Sequence, residues 1–247
     1  MGTTIAALVQ KHQEELQELQ ERAGYTFRDQ ELLQLALVHS SYAFERLDDN
    51  RHNETLEFLG DAVLDLTVGY ILFFRFPELR EGKLTRIRSA LVNESGLALM
   101  AREIQLGKYI LLGKGENASA GREKSSILSC AYEALVGAIF LDGGYNTALD
   151  FVRRFFQPHI DSRVDNLITA DAKSALQELL QEQFSEGPSY VLVGEEGPAH
   201  ARQFSIAASF QGEELGVGRA TSKKEAEQRA AQAALKQLRQ HKITKKE

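Results

Sequence analysis

Residues 52–66 read HNETLEFLGDAVLDL, and this stretch decides the fold. Its apolar residues recur with helical period, and four carboxylates, Glu54, Glu57, Asp61 and Asp65, repeat with it. At the helical rotation per residue these four span an arc of about 80°, one face of a helix. Leu56, Leu59, Ala62, Val63 and Leu66 are expected on the opposite face, with Phe58 and Leu64 bordering the acidic stripe. Such a stripe is ordinarily a solvated surface. Here large apolar neighbours make the desolvation of carboxylates costly unless a cation compensates them.

A second helix repeats the theme. From Ile127 to Leu141 (ILSCAYEALVGAIFL) the one charged residue is Glu133. By itself it has three explanations: a buried ion pair, a chance exposed position, or a metal ligand. Taken with the first stripe, a converging carboxylate cluster becomes the better one. Oxygen-donor clusters suit hard divalent cations, magnesium foremost, with manganese as a substitute. No HExxH, no Glu-x-x-His pair and no His-Asp dipeptide is present for competing metal chemistries.

Working outward, 247 residues suit one or two domains. A hydrophobic share of 43% and a charged share of 26% are those of a globular chain rather than a disordered one. A single cysteine excludes a disulfide framework and a Cys-rich zinc site. No apolar run approaches the length of a bilayer span, the densest being Gly69–Phe74, so no membrane association is expected. The start, MGTTIAALVQKHQEEL, lacks the apolar core of a secretory signal, so a cytoplasmic location is expected. Helices are expected over Ile5–Leu19, Leu32–Val38, His52–Phe76, Leu84–Ile104, Ile127–Leu141 and Thr147–Phe156, with a polar loop at Gly113–Lys124. Residues 1–160 are expected to form the first domain and 161–170 a linker.

Character changes after that. Residues 171–239 read as a helix over Ala172–Phe184, then strands Ser189–Val193, Gln203–Phe210 and Glu214–Ala220 with a Gln211-Gly212 turn, then a helix opened by Ser222 with Glu225 completing a capping box. A basic tail, 240–247, follows. The net charge of −6 argues against nucleic-acid binding by bulk positive charge, but residues 219–246 hold nine basic and two acidic side chains, a local +7. Lys223 and Lys224 sit in the first turn of a helix, where the dipole disfavours cations. They are either splayed into water or, the better reading, placed where an anion docks against the N–H groups. Arg122 and Lys124, which end the polar loop, have the same two readings: a solvated loop, or cations holding a phosphate backbone beside the acidic helix.

At these residues a resemblance is plain. His52–Leu64 resembles the signature of the ribonuclease III family, Lys124–Asp142 (KSSILSCAYEALVGAIFLD) resembles its second acidic motif, and Pro77–Val92 (PELREGKLTRIRSALV) matches it as well. TSKKEAEQRAAQAAL and Gly197–His200 (GPAH) resemble the terminal helix and strand-connecting loop of a double-stranded RNA-binding domain. The resemblance implies an all-α nuclease domain followed by a small α+β (α-β-β-β-α) RNA-binding domain. It implies a homodimer, with no small-molecule cofactor, that hydrolyses duplex RNA with magnesium and leaves 5′-phosphates and short 3′ overhangs. It implies Glu57, Asp61 and Glu133 as metal ligands, with Glu54, Asp61 and Glu133 catalytic, Glu81 in the acidic cleft and Phe58 packed into the partner subunit. For the RNA it implies Ser174, Gln177, Glu178 and His200 in the minor grooves and Ser222, Lys223 and Lys224 on phosphates. One departure stands out: Cys130 occupies the place where the family usually has aspartate, on the same helix face as Glu133. A thiol is a poor magnesium ligand. Either water replaces the missing carboxylate, the reading taken here, or the chain is a dimeric duplex-RNA-binding protein with a weak or silent nuclease. A metal-binding helical scaffold without an RNA role is the third reading.

Overall fold

The computed structural model describes residues 3–170, 172–198 and 202–244; the side chains of 161–170 and 239–244 fall outside that description. Two units divide the chain, Met1–Asp161 and Ser162–Glu247. The first unit carries α1 (Ile5–Lys11), α2 (Gln13–Ala23), α3 (Gln30–Ala36), α4 (Ser40–Arg46), α5 (Glu54–Arg75), α6 (Glu81–Leu91), α7 (Glu94–Glu103), α8 (Lys114–Ala118) and most of α9 (Ser125–Ala170). The backbone of 161–170, expected to be a linker, continues α9 as helix.

Three expected elements are subdivided, each for a local reason. Ile5–Leu19 breaks at His12, which is non-helical and whose ring meets the buried Gln34 at 3.3 Å. Leu84–Ile104 breaks before Asn93, whose side chain accepts from the Gly96 amide at 2.9 Å and so caps a new helix. The polar loop 113–124 contains the short α8 and a 3-10 turn at Gly121–Glu123. In α9, Gly144 (φ 79°) separates the two helices read from the sequence. Ser125–Ile160 is long and apolar enough to cross a membrane by length and composition alone. Yet Tyr132, Val136, Ile139, Val152 and Phe156 are consumed by the core of this unit.

The centre of that unit is the crossing of α5 and α9. A Cβ on Gly60 would stand 1.8 Å from the Glu133 carbonyl oxygen, and one on Gly137 would stand 2.2 Å from that of Leu56. The two backbones therefore touch, which no side-chain-bearing residue at either position permits. Around the contact, Leu56, Val63, Leu64, Val68 and Leu72 of α5 and Ala134, Leu135, Ala138 and Ile139 of α9 are buried. Leu66 and Ala62 are corrections: both were grouped with Leu56 and Val63 opposite the acidic stripe, but Leu66 is 57% exposed and Ala62 is exposed, because the core stripe of α5 runs through Leu64 and Thr67 instead.

The second unit has the expected order: α10 (Ala172–Phe184), β1 (Ser189–Glu196), β2 (Gln203–Phe210), β3 (Glu213–Ala220) and α11 (Lys223–Thr244). Its antiparallel sheet has the order β1-β2-β3. Gln211 and Gly212 both take positive φ (50° and 85°), the requirement of a two-residue hairpin turn. The core is built from small residues: α11 lies so close to β3 that Gly216 and Gly218 face its backbone, and Ala226, Ala230, Ala231 and Ala234 are fully buried beneath it. Leu176 and Leu180 of α10 complete the cluster.

Replacing Gly60 or Gly137 by alanine inserts a methyl group into backbone and forces the helices apart. The expected cost is about 3 kcal/mol, read as a lower midpoint in urea denaturation. Gly115→Ala, where nothing lies within 4 Å, should change stability little.

Candidate functional site

The start of α5 is pinned before any acidic residue appears. Asn53 is buried, its amide donating to the Val38 carbonyl at 2.9 Å and its side chain to that of Ala36 at 3.4 Å. From there helical geometry carries Glu57 and Asp61 to the glycine contact, while Glu133 and Cys130, three residues apart on α9, face them. The donor atoms of Glu57, Cys130 and Glu133 lie within 4.8 Å of one another. Asp61 is exposed and stands outside that trio, yet its charge, with that of Glu57, acts on Glu133.

Electrostatics at this point are unbalanced. Burial first, then the negative charges of Glu57 and Asp61, push the Glu133 carboxyl up to about 7. Burial and the neighbouring carboxylates push the Cys130 thiol up to about 12. The fourth carboxylate of the stripe, Asp65, is paired with Arg88 at 3.4 Å and belongs to a different environment. A half-buried Glu133 whose proton affinity is raised by burial and by two neighbouring carboxylates marks a donor set short of a cation. A divalent ion fits it chemically, with Glu57, Asp61 and Glu133 supplying oxygen and Cys130 the one donor that magnesium does not favour.

The remaining expected residues are placed as follows. Glu54 opens α5, exposed, 3.8 Å from the His52 ring. Glu81 opens α6, where its carboxylate accepts from the Thr85 hydroxyl at 2.9 Å. Arg122 and Lys124, expected to hold a phosphate backbone, both have partners within the protein. The Arg122 guanidinium donates to the carbonyls of Gly107 (2.9 Å), Lys108 (3.0 Å) and Ile110 (2.7 Å) and to the Asn117 side chain (3.0 Å). Lys124 is held by Glu116 and Ser119 at 2.8 and 2.9 Å. Both cations thus stitch the segment that leads into α9, Arg122 by serving carbonyl groups left without helical partners and Lys124 through side-chain acceptors.

Periodicity gave no sign of His39. It caps α4, and its Nδ1 accepts from the Ser41 amide, which leaves the ring proton on Nε2. Burial lowers its proton affinity, against the opposing fields of Glu116, Glu54 and Glu57, so it borders the acidic cluster. Its position directly before the helix opening SSYAFE was the available signal.

In the second unit Ser174, Gln177 and Glu178 share the exposed face of α10, opposite the buried Ala172, Leu176 and Leu180. Ser222 accepts from the Glu225 amide at 3.3 Å, but the Glu225 carboxylate turns to Arg229 at 2.6 Å rather than closing a capping box. Lys223 and Lys224 are exposed in the first turn of α11, with the Lys223 ammonium 5.6 Å from the centre of the Phe204 ring. His200 lies outside the described residues.

Comparison with known proteins gives one consistent result. Residues 29–160 match the family described as Ribonuclease-III-like, and 172–238 the double-stranded RNA binding motif. A protein of Desulfotalea psychrophila named Ribonuclease 3 is 57% identical over 238 residues, 96% of this chain and 99% of its own. Its namesake in Oleidesulfovibrio alaskensis is 49% identical over 222 residues, 90% and 97%. A crystallised nuclease domain of Ribonuclease III from Campylobacter jejuni, described for flexibility in a region involved in dimer formation, superposes with a TM-score of 0.55 at 43% identity, covering 58% of this chain and 96% of its own.

The raised Glu133 carboxyl makes a pH prediction. Its folded value, about 7, lies above the ordinary 4.5, so its protonated form favours folding. That contribution is complete below about pH 4.5 and is lost as pH rises through 7. Thermal unfolding of metal-free protein should therefore show stability falling between about pH 5 and 8, with the fall flattened in Glu133→Gln.

Proposed function

This chain belongs to the ribonuclease III family, and on that premise we propose that it cuts double-stranded RNA by hydrolysing phosphodiester bonds at the α5–α9 crossing. Magnesium is the working ion in this reading, manganese its substitute, and two copies of the chain form the active assembly. One observation carries it. A carboxylate cluster short of positive charge, Glu57 and Glu133 with Asp61 beside them, occurs in the same chain as a double-stranded RNA binding motif.

Glu57, Asp61 and Glu133 would hold the ion. When bound, a divalent metal supplies a water activated at neutral pH and neutralises charge developing on the phosphate. Glu54, exposed at the first turn of α5 and one turn before Glu57, would orient water beside the ion. In the second unit, Ser174, Gln177 and Glu178 meet 2′-hydroxyls in one minor groove while Lys223 and Lys224 grip phosphates across the major groove, so recognition follows duplex shape rather than sequence. Products carry 5′-phosphates and short 3′ overhangs. The reaction is assigned to the cytoplasm, a compartment that suits an unpaired thiol such as Cys130.

The dimer reading rests on α5. Phe58 is 81% exposed, and Leu66, Tyr70, Phe73 and Phe74 continue an apolar, solvent-facing band along the helix. Exposed apolar patches of this kind mark association surfaces. A two-fold pairing through this band provides two sites for the two strands of a duplex. Binding without cleavage is not favoured, because Glu57, Asp61 and Glu133 are all retained and the curated relatives bear the name of the enzyme.

Three measurements test this. Glu133→Gln should lower magnesium-dependent cleavage of a hairpin RNA by roughly a thousandfold, about 4 kcal/mol of transition-state stabilisation, while leaving duplex binding in chelator intact. Lys223→Ala with Lys224→Ala should weaken duplex binding and reduce its salt slope by about two. Phe58→Asp should shift the protein toward monomer in sedimentation.

A further inference from the structure

We propose that Glu57, Cys130 and Glu133 form a mixed oxygen–sulfur site for a thiophilic divalent cation of the zinc class, which enters the catalytic centre in competition with magnesium and silences cleavage. The proposal rests on the reading of this crossing as the metal centre of a nuclease.

The argument is one of donor chemistry and placement. Among the described residues, the trio whose donor atoms all lie within 4.8 Å of one another includes the thiol and excludes Asp61. Donor atoms around a tetrahedral zinc stand roughly 3.5 Å apart, a spacing that rotations of the two glutamates bring within reach. The helix backbones that carry these donors are held by contact at Gly60 and Gly137. Magnesium demands octahedral oxygen coordination and gains little from sulfur, whereas zinc-class ions bind thiolate strongly and accept fewer ligands. As the metal–sulfur bond forms, the thiol proton passes to solvent. An aspartate at 130 would offer an oxygen donor to either ion and complete the set that magnesium favours. The cysteine gives the soft ion an advantage at the same point and leaves magnesium with one donor fewer.

Cobalt(II) is a direct probe, because cobalt–thiolate complexes absorb through sulfur-to-metal charge transfer and Cys130 is the one cysteine of the chain. Titration of the magnesium-free full chain should give a charge-transfer band saturating at one ion per chain, reversed by cadmium and resistant to excess magnesium. Cys130→Ser and Cys130→Asp should lack the band. Cadmium affinity should fall in Cys130→Ser by at least roughly tenfold, the lower end of what loss of even an outer partner costs. Zinc should inhibit hairpin cleavage by the parent, with recovery after chelation and renewed magnesium, and inhibit Cys130→Asp far less. Cobalt bound without a sulfur band, or equal zinc sensitivity in parent and Cys130→Asp, overturns the proposal. Absence of magnesium-dependent cleavage from both proteins overturns the nuclease reading and the silencing with it, whereas the cobalt band reports the mixed-donor site independently.

Discussion

Two backbones meet without side chains between them where Gly60 of α5 faces the Glu133 carbonyl and Gly137 of α9 faces that of Leu56. Such a contact costs helix propensity, about 1 kcal/mol for each glycine relative to alanine. In return it sets the separation of two acidic helix faces that would otherwise stand a side-chain layer apart. Glu57 lies one turn before the first glycine and Glu133 one turn before the second. Their proximity is therefore a consequence of the crossing rather than of attraction, and burial at the crossing, with the like charges of Glu57 and Asp61 added to it, raises the Glu133 carboxyl.

Everything around the crossing keeps it from relaxing. Asn53 ties the start of α5 to the carbonyls of Ala36 and Val38, and Arg122 gathers four acceptors of the loop that feeds α9. The cation best placed by sequence to meet a phosphate is instead committed to structure. In the second unit, Lys223 and Lys224 are exposed at a helix start. The division suits a hydrolase of polyanions: the metal-seeking cluster is negative, and a separate module supplies the local positive charge.

Much of this was legible in the residues. Helical period placed Glu54, Glu57 and Asp61 on one face, a lone charge in an apolar helix singled out Glu133, and cations in a first turn pointed to Lys223 and Lys224, because each rests on local geometry. Breaks inside helices were harder. His12 ends α1 beside Gln34, and Asn93 opens α7 by accepting from the Gly96 amide, contacts that a hydrophobic period does not register. Leu66 was misplaced because a helix with two apolar bands has no unique buried face until its partner is known.

The sequence by itself determined the two-part architecture, the acidic residues and the anomaly at Cys130, since periodicity, composition and motif spacing are properties of the chain. Tertiary structure decided which donors converge. It set Cys130 with Glu57 and Glu133 while leaving Asp61 outside the closest trio, and it tied the Arg122 guanidinium to loop carbonyls and the Lys124 ammonium to Glu116. The physical reason is that convergence depends on the distance between two helices, and that distance follows from two glycines 77 positions apart, Gly60 and Gly137, which come together only in the folded protein.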